Sequence, residues 1–129
     1  MVNLTYKEIS WLHKVQPDLT YIEGANTLAG AFKYTAQYKN LETITDSYDL
    51  IIKFNSGTIL PKVYETKGKI ERMSHIMGKD LRDFHVNPDG TLCMIRRDKI
   101  FSTYKYDFDL KLFIDHLTTH LYWVSYYGI

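Results

Sequence analysis

Apolar and polar positions alternate between residues 28 and 38, and this period of two is the clearest signal in the chain. Leu28, Phe32, Tyr34, Ala36 and Tyr38 fall on one face, Lys33, Thr35 and Gln37 on the other, as in a half-buried strand. Tyr48, Leu50, Ile52 and Phe54 repeat the pattern, and Asn55-Ser56-Gly57 supplies turn chemistry after it. A shorter strand is expected from Lys62 to Thr66, behind Pro61, and another over Thr20 to Ile22. Four strands in this order predict an antiparallel meander.

The ends of the chain carry the helical period instead. Thr5 and Glu8 have capping-box spacing, Ile9, Leu12 and Val15 follow at near-helical intervals, and Pro17 ends the run. A helix over Tyr6 to Gln16 is predicted. Near the C-terminus, Leu110, Phe113, Ile114, Leu117, Leu121 and Val124 form one apolar stripe, with Asp107 or Asp109 as its cap and Gly128 as its stop. From Lys67 to Met94 neither period holds. Gly68, Gly78, Pro88 and Gly90 punctuate a stretch expected to be a long irregular loop, in which Asn87-Pro88-Asp89-Gly90 is a strong turn signal. Long loops inside compact domains are often functional. The whole predicts one α+β domain over residues 1–129: N-terminal helix, four-stranded meander, long active-site loop, C-terminal helix.

Composition narrows the function classes. A formal charge of +1 over 129 residues gives no global attraction to nucleic acid or to a membrane surface, so neither is expected as a partner. The lone cysteine permits no intrachain disulfide. The start, Met1-Val2-Asn3-Leu4-Thr5, lacks the basic-then-apolar pattern of a signal peptide, so a cytoplasmic setting is expected. Eleven tyrosines are many for this length, and rings buried with their hydroxyls in water would account for them. His116 and His120 are four apart, as zinc ligands can be, but no carboxylate-bearing zinc motif accompanies them and they read as an ordinary helix face. No metal or cofactor is expected.

Three short motifs remain. Pro61-Lys62-Val63-Tyr64-Glu65-Thr66 occupies the fourth strand. His85-Val86-Asn87 follows, and then Gly90-Thr91-Leu92-Cys93-Met94. In this order, they resemble the Pro-Pro-Lys-Val, His-Pro-Asn and Gly-x-x-Cys-Leu segments of the ubiquitin-conjugating enzymes, with Leu60 and Val86 standing where that family has proline. The run from Asp83 to Cys93 is closer still to the short bacterial members of the family, which carry His-x-Asn-Pro-Asp-Gly-x-x-Cys. Asn87 stands nearer to Cys93 than in the eukaryotic enzymes, and Met94-Ile95-Arg96-Arg97 replaces the tryptophan usual after the cysteine.

The resemblance implies that Cys93 accepts the C-terminal carboxyl of a partner protein as a thioester and passes it to an amine. Thiolates do both steps well, being strong nucleophiles and fair leaving groups. The implied partners are a protein C-terminal tail, from a ubiquitin-like modifier or from a nucleotidyltransferase of an antiphage operon, and an activating enzyme that consumes the ATP. Asn87 would donate a hydrogen bond to the oxyanion or brace the loop. His85 would bond loop backbone or act as a base. Asp89 would hold the turn, and Arg96 and Arg97 would stabilise the thiolate, meet an acidic tail or be solvated. Against this stand two other readings: Cys93 as an inert core residue in a catalytically silent binding module, and a cysteine hydrolase, for which His85 is the one nearby base.

Overall fold

The computed structural model describes residues 3–54, 59–95, 99–104 and 107–128. Helix α1 spans Tyr6–Val15, and both halves of its capping box form: Thr5 Oγ1 accepts from the Glu8 N–H at 3.1 Å, and Glu8 Oε1 accepts from the Thr5 N–H at 2.8 Å. Gln16, just past its end, is buried. Its side-chain amide donates to the Lys33 carbonyl at 2.7 Å and accepts from the Lys33 N–H at 3.0 Å, which ties α1 to the sheet.

The sheet is the antiparallel meander, strand order β1-β2-β3-β4, with β1 at Leu19–Ile22, β2 at Thr27–Ala36, β3 at Ile44–Lys53 and β4 at Lys62–Glu65. Register follows the apolar pattern: Leu28 faces Ile52 and Phe32 faces Tyr48 across β2 and β3, and Ile52 faces Val63 across β3 and β4. All five are fully buried side chains. Gly30 is fixed by close approach. It has φ +133°, and a Cβ there would lie 2.1 Å from the Asp18 carbonyl oxygen.

Strand β3 begins four residues before the Tyr48 start of the expected pattern, because Asp46 interrupts the apolar face. Asp46 is tolerated there through partners distant in sequence. Lys69 Nζ pairs with it, Ser125 Oγ donates to it at 2.7 Å, and the Tyr48 hydroxyl lies 2.7 Å from the same Ser125 oxygen. Burial would raise the Asp46 carboxyl, but hydrogen bonds from Lys69, Ser125 and the Ser47 N–H outweigh it and hold the group below its usual range.

Helix α4 spans Leu110–Tyr127 and packs over β3 and β2. Asp109 caps it, accepting from the Leu112 N–H at 3.0 Å; Asp107 instead accepts from Phe108. Tyr34, Tyr38 and Tyr122 use their hydroxyls between α4 and the β2–β3 hairpin, where wet hydroxyls were expected, while Tyr6 and Tyr127 are exposed. Tyr34 donates to the Leu121 carbonyl, Tyr122 to the Glu42 carbonyl, and Tyr38 lies 2.9 Å from Thr119 Oγ1.

The stretch expected to be irregular contains helix α2, Lys69–Ile76, and a 3-10 turn, Leu81–Phe84. Ile70, Met73 and Ser74 form a narrow inward face on α2, with Met77 just past its end and Ile70 and Ser74 buried. A serine on that face and Gly68 as its cap leave only a faint helical pattern. A five-residue helix, α3, follows at Ile100–Tyr104. The Asn55-Ser56-Gly57 turn lies outside the described residues. No helix among the described residues is long and apolar enough to cross a membrane.

Candidate functional site

The motif residues form a small hairpin hung from the sheet edge. Thr91 bridges to Tyr64 of β4, and the Leu92 N–H donates to the Val63 carbonyl at 2.9 Å. Residues 85–87 then run back against 91–93. Val86 bridges Leu92, the Asn87 N–H donates to the Thr91 carbonyl at 2.8 Å, and the Cys93 N–H donates to the His85 carbonyl at 2.8 Å. The tip is the Asn-Pro-Asp-Gly turn. Its Gly90 N–H donates to the Asn87 carbonyl at 2.9 Å, and Gly90 takes φ +89°, the left-handed position that favours glycine. Buried Phe84 and Leu92 hold the base of the hairpin in the core.

Side chains lock the tip. Asn87 Nδ2 donates to Thr91 Oγ1 at 3.0 Å, and Thr91 Oγ1 donates to Asp89 Oδ1 at 2.6 Å. The Thr91 N–H reaches the same Asp89 oxygen at 3.0 Å. The Thr91 hydroxyl and N–H hold the Asp89 carboxyl below its usual range. Asp89 therefore has the turn role expected of it, and Asn87 directs one of its two amide hydrogens into the turn. Asp83 caps the preceding 3-10 turn, accepting from the Asp80 N–H at 3.1 Å. Arg96 and Arg97 lie outside the described residues.

His85 differs from the expectation. Its carbonyl, not its ring, makes the bond to the loop, and among the described residues its ring nitrogens make no hydrogen bond. The residue sits at φ +58°, where it ends the 3-10 turn by donating its N–H to Arg82. That left-handed conformation, uncommon outside glycine, turns the chain back toward Leu92 and leaves the ring exposed.

Cys93 is half-buried and lines two clefts. The smaller, about 260 Å³, is shared with Asn87, Thr91, Lys62, Leu60 and Ile100. The larger, about 470 Å³, lies between the Cys93 segment and α4, and His85, His116, His120, Trp123 and Tyr127 contribute to its walls. Asn87 and His85 thus flank the cysteine from different sides. No hydrogen bond joins the thiol to an imidazole among the described residues.

His120 was expected to belong to an ordinary helix face. It lies on the buried stripe of α4, only 9% exposed, and its Nε2 is enclosed without a hydrogen-bond partner. Its ring meets the His85 ring edge to face, with centroids 6.1 Å apart. Burial, helped by the neighbouring His85, pulls the His120 pKa down from 6.5 to about 4, so the ring is neutral at physiological pH. His116, one turn earlier, has its Nδ1 within 3.0 Å of the Tyr104 hydroxyl. The available signal was a histidine in register with Phe113, Leu117 and Val124, where the helix period demands an apolar side chain. Despite these imidazoles, no group of three or more His, Cys, Asp or Glu among the described residues is placed to hold a metal ion. No family model, curated protein or solved structure matches the chain.

Proposed function

We propose that the protein is a thioester carrier of the ubiquitin-conjugating type, with Cys93 as the acyl-bearing residue. The observation that supports this best is the setting of Cys93: a half-buried thiol fixed at the foot of a braced hairpin and open to a cleft on either side. The Cys93 thiolate attacks the activated carbonyl at the end of a partner's tail. A new C–S bond forms, the bond to the activating enzyme's cysteine breaks, and that cysteine leaves as a thiolate. An amine then attacks the Cys93 thioester, forming C–N as C–S breaks; the amine's proton passes to solvent or to the departing Cys93 thiolate.

Asn87 serves this chemistry chiefly by bracing, since its amide already donates to Thr91; its second amide hydrogen is available to an oxyanion. The motif resemblance points to a ubiquitin-like modifier or the tail of a cyclic-oligonucleotide synthase as the acyl donor, in the cytoplasm of a bacterium. A hydrolase is less well supported, because no imidazole is hydrogen-bonded to the thiol.

Intact mass spectrometry of the protein recovered from its host, with and without reductant, tests the proposal. A protein adduct that reductant removes, missing in Cys93→Ala and more stable in Cys93→Ser, is expected, and its mass identifies the partner. Recovery of unmodified protein together with a normal Cys93→Ala strain would sink the carrier reading in favour of a silent binding module.

A further inference from the structure

The pairing that hangs the hairpin from β4 sets two reactive side chains against each other. Tyr64 bridges Thr91 antiparallel, and the Leu92 N–H donates to the Val63 carbonyl at 2.9 Å. The next pair in that register is Lys62 and Cys93. Val63 and Leu92 are both buried, so by strand alternation the residues flanking them turn to the other face. Directly opposed residues on antiparallel segments have Cβ atoms about 4.5–5.5 Å apart. Lys62 and Cys93 accordingly line one cleft, the smaller of the two, together with Asn87 and Thr91.

The Lys62 amine is free to act there. Lys62 is exposed, and among the described residues it makes no ion pair or hydrogen bond. Two charged groups face it among those residues. Asp89, in the hairpin, is held first by its Thr91 bonds and then by the charge of Lys62; Lys53 is the register partner of Lys62 on β3. Lys53 Nζ itself lies 5.3 Å from the centre of the Tyr64 ring. The flexible four-carbon stem of a lysine lets its amine swing between the hairpin tip and the thiol. An amine held opposite a thioester need not be captured from solution, and such positioning favours acyl transfer.

We propose that Lys62 is the protein's own acyl acceptor. The neutral ε-amine attacks the carbonyl of the Cys93 thioester. A C–N bond forms as the C–S bond breaks, and the proton lost from nitrogen passes to the Cys93 thiolate. The tail ends as an amide on Lys62, and the thiol is restored. The proposal rests on the thioester-carrier reading and adds a modification site to it. Lysine amines are almost wholly protonated at neutral pH, so the shift is slow and the thioester lasts long enough to be passed on. A tail that finds no external amine is captured by Lys62, which retires that copy of the carrier.

The test loads the full-length protein at pH 7 with the mercaptoethanesulfonate thioester of acetyl-Ala-Ala-Gly-Gly. Cys93 takes the peptide as mercaptoethanesulfonate leaves with the thiol proton. Loaded protein is desalted and held at pH 7.5 or pH 8.5. Dithiothreitol added at intervals removes a thioester and leaves an amide, and intact mass separates the two. Wild type is expected to convert to the resistant form, mapped by digestion to Lys62, at a rate independent of protein concentration. Conversion is expected to be about tenfold faster at the higher pH, following the neutral fraction of the amine. Lys62→Arg keeps the charge without a nucleophilic amine and is expected to slow conversion about tenfold or more. Lys53→Arg is expected to convert as wild type does, and Cys93→Ala to acquire neither adduct.

A wild-type adduct that stays sensitive to dithiothreitol would overturn the shift and leave the carrier reading intact. So would an amide on another lysine, or one that forms in Cys93→Ala. Cys93 that takes up no peptide would overturn both readings. The wild-type map decides the question even where a variant fails to fold.

Discussion

Replacing His120 by Leu removes the buried imidazole and fills nearly the same volume with carbon. The consequence is read in the pH dependence of stability. Unfolded, the ring has its ordinary pKa of 6.5; folded, it titrates at about 4. A depressed folded pKa means that the unfolded chain binds the proton first as pH falls. The neutral folded form is therefore at no disadvantage above pH 6.5, and stability drains away between there and pH 4. At pH 4.5 the unfolded ring is almost fully protonated and the folded ring mostly neutral. Linkage then assigns a loss of about 2–3 kcal/mol to this one side chain. His85, the other titratable group the ring faces, is exposed and stays in place in the variant. Urea unfolding of both proteins at pH 7.5 and pH 4.5 measures the effect, and the carboxylates common to both cancel in the difference. The wild type is expected to lose about 2–3 kcal/mol more than His120→Leu between the two pH values, on the order of 1 M in midpoint at ordinary urea slopes. At pH 7.5 the variant is expected to match or exceed the wild type, because the orphan Nε2 has gone. Parallel losses in the two proteins would refute the reasoning and mean that the imidazole is hydrated or partnered in solution.

Two other sites give separate expectations. Ser125→Ala removes the oxygen shared by Asp46, Tyr34 and Tyr48, of which Tyr34 keeps its bond to Leu121; thermal unfolding is expected to show a loss of about 2 kcal/mol, and a change within error would mean that water replaces the hydroxyl. Thr91→Val breaks the chain from Asn87 through Thr91 to Asp89 at the hairpin tip, at a cost of about 1 kcal/mol by denaturant titration. If Asn87 acts by bracing, Thr91→Val should slow release of a Cys93-bound peptide to free lysine as much as Asn87→Ala does; slowing by Asn87→Ala alone would mark direct oxyanion contact.

What could be read from the chain depended on how locally each residue's environment is determined. Helix α1 was legible because Thr5 and Glu8 satisfy one another three residues apart. Strand β2 was legible because nearly all its inward residues are apolar. The beginning of β3 was not, since Asp46 sits on the inward side through Lys69 and Ser125, which lie 23 and 79 residues away along the chain. Helix α2 was hidden for a related reason: its inward face is three residues, Ile70, Met73 and Ser74, and includes a serine. The candidate site divided in the same way. The hairpin tip could be read from Asn87-Pro88-Asp89-Gly90, whose bonds are all local. His120 could not be joined to Cys93 across 26 intervening positions by any spacing rule.

The exceptions to the apolar pattern are of two kinds. Asp46 is partnered by Lys69 of α2 and Ser125 of α4, and Ser125 in turn meets Tyr34 of β2 and Tyr48 of β3. His120 stands on an equally apolar stripe and has no partner for Nε2. A polar group in a core stabilises the fold only when its bonds are made; otherwise it costs stability. By that criterion Asp46 belongs to the architecture, and His120 is a cost that folding does not explain. The His120 side chain lines the cleft that holds the chain's single cysteine, while Nε2 itself is enclosed.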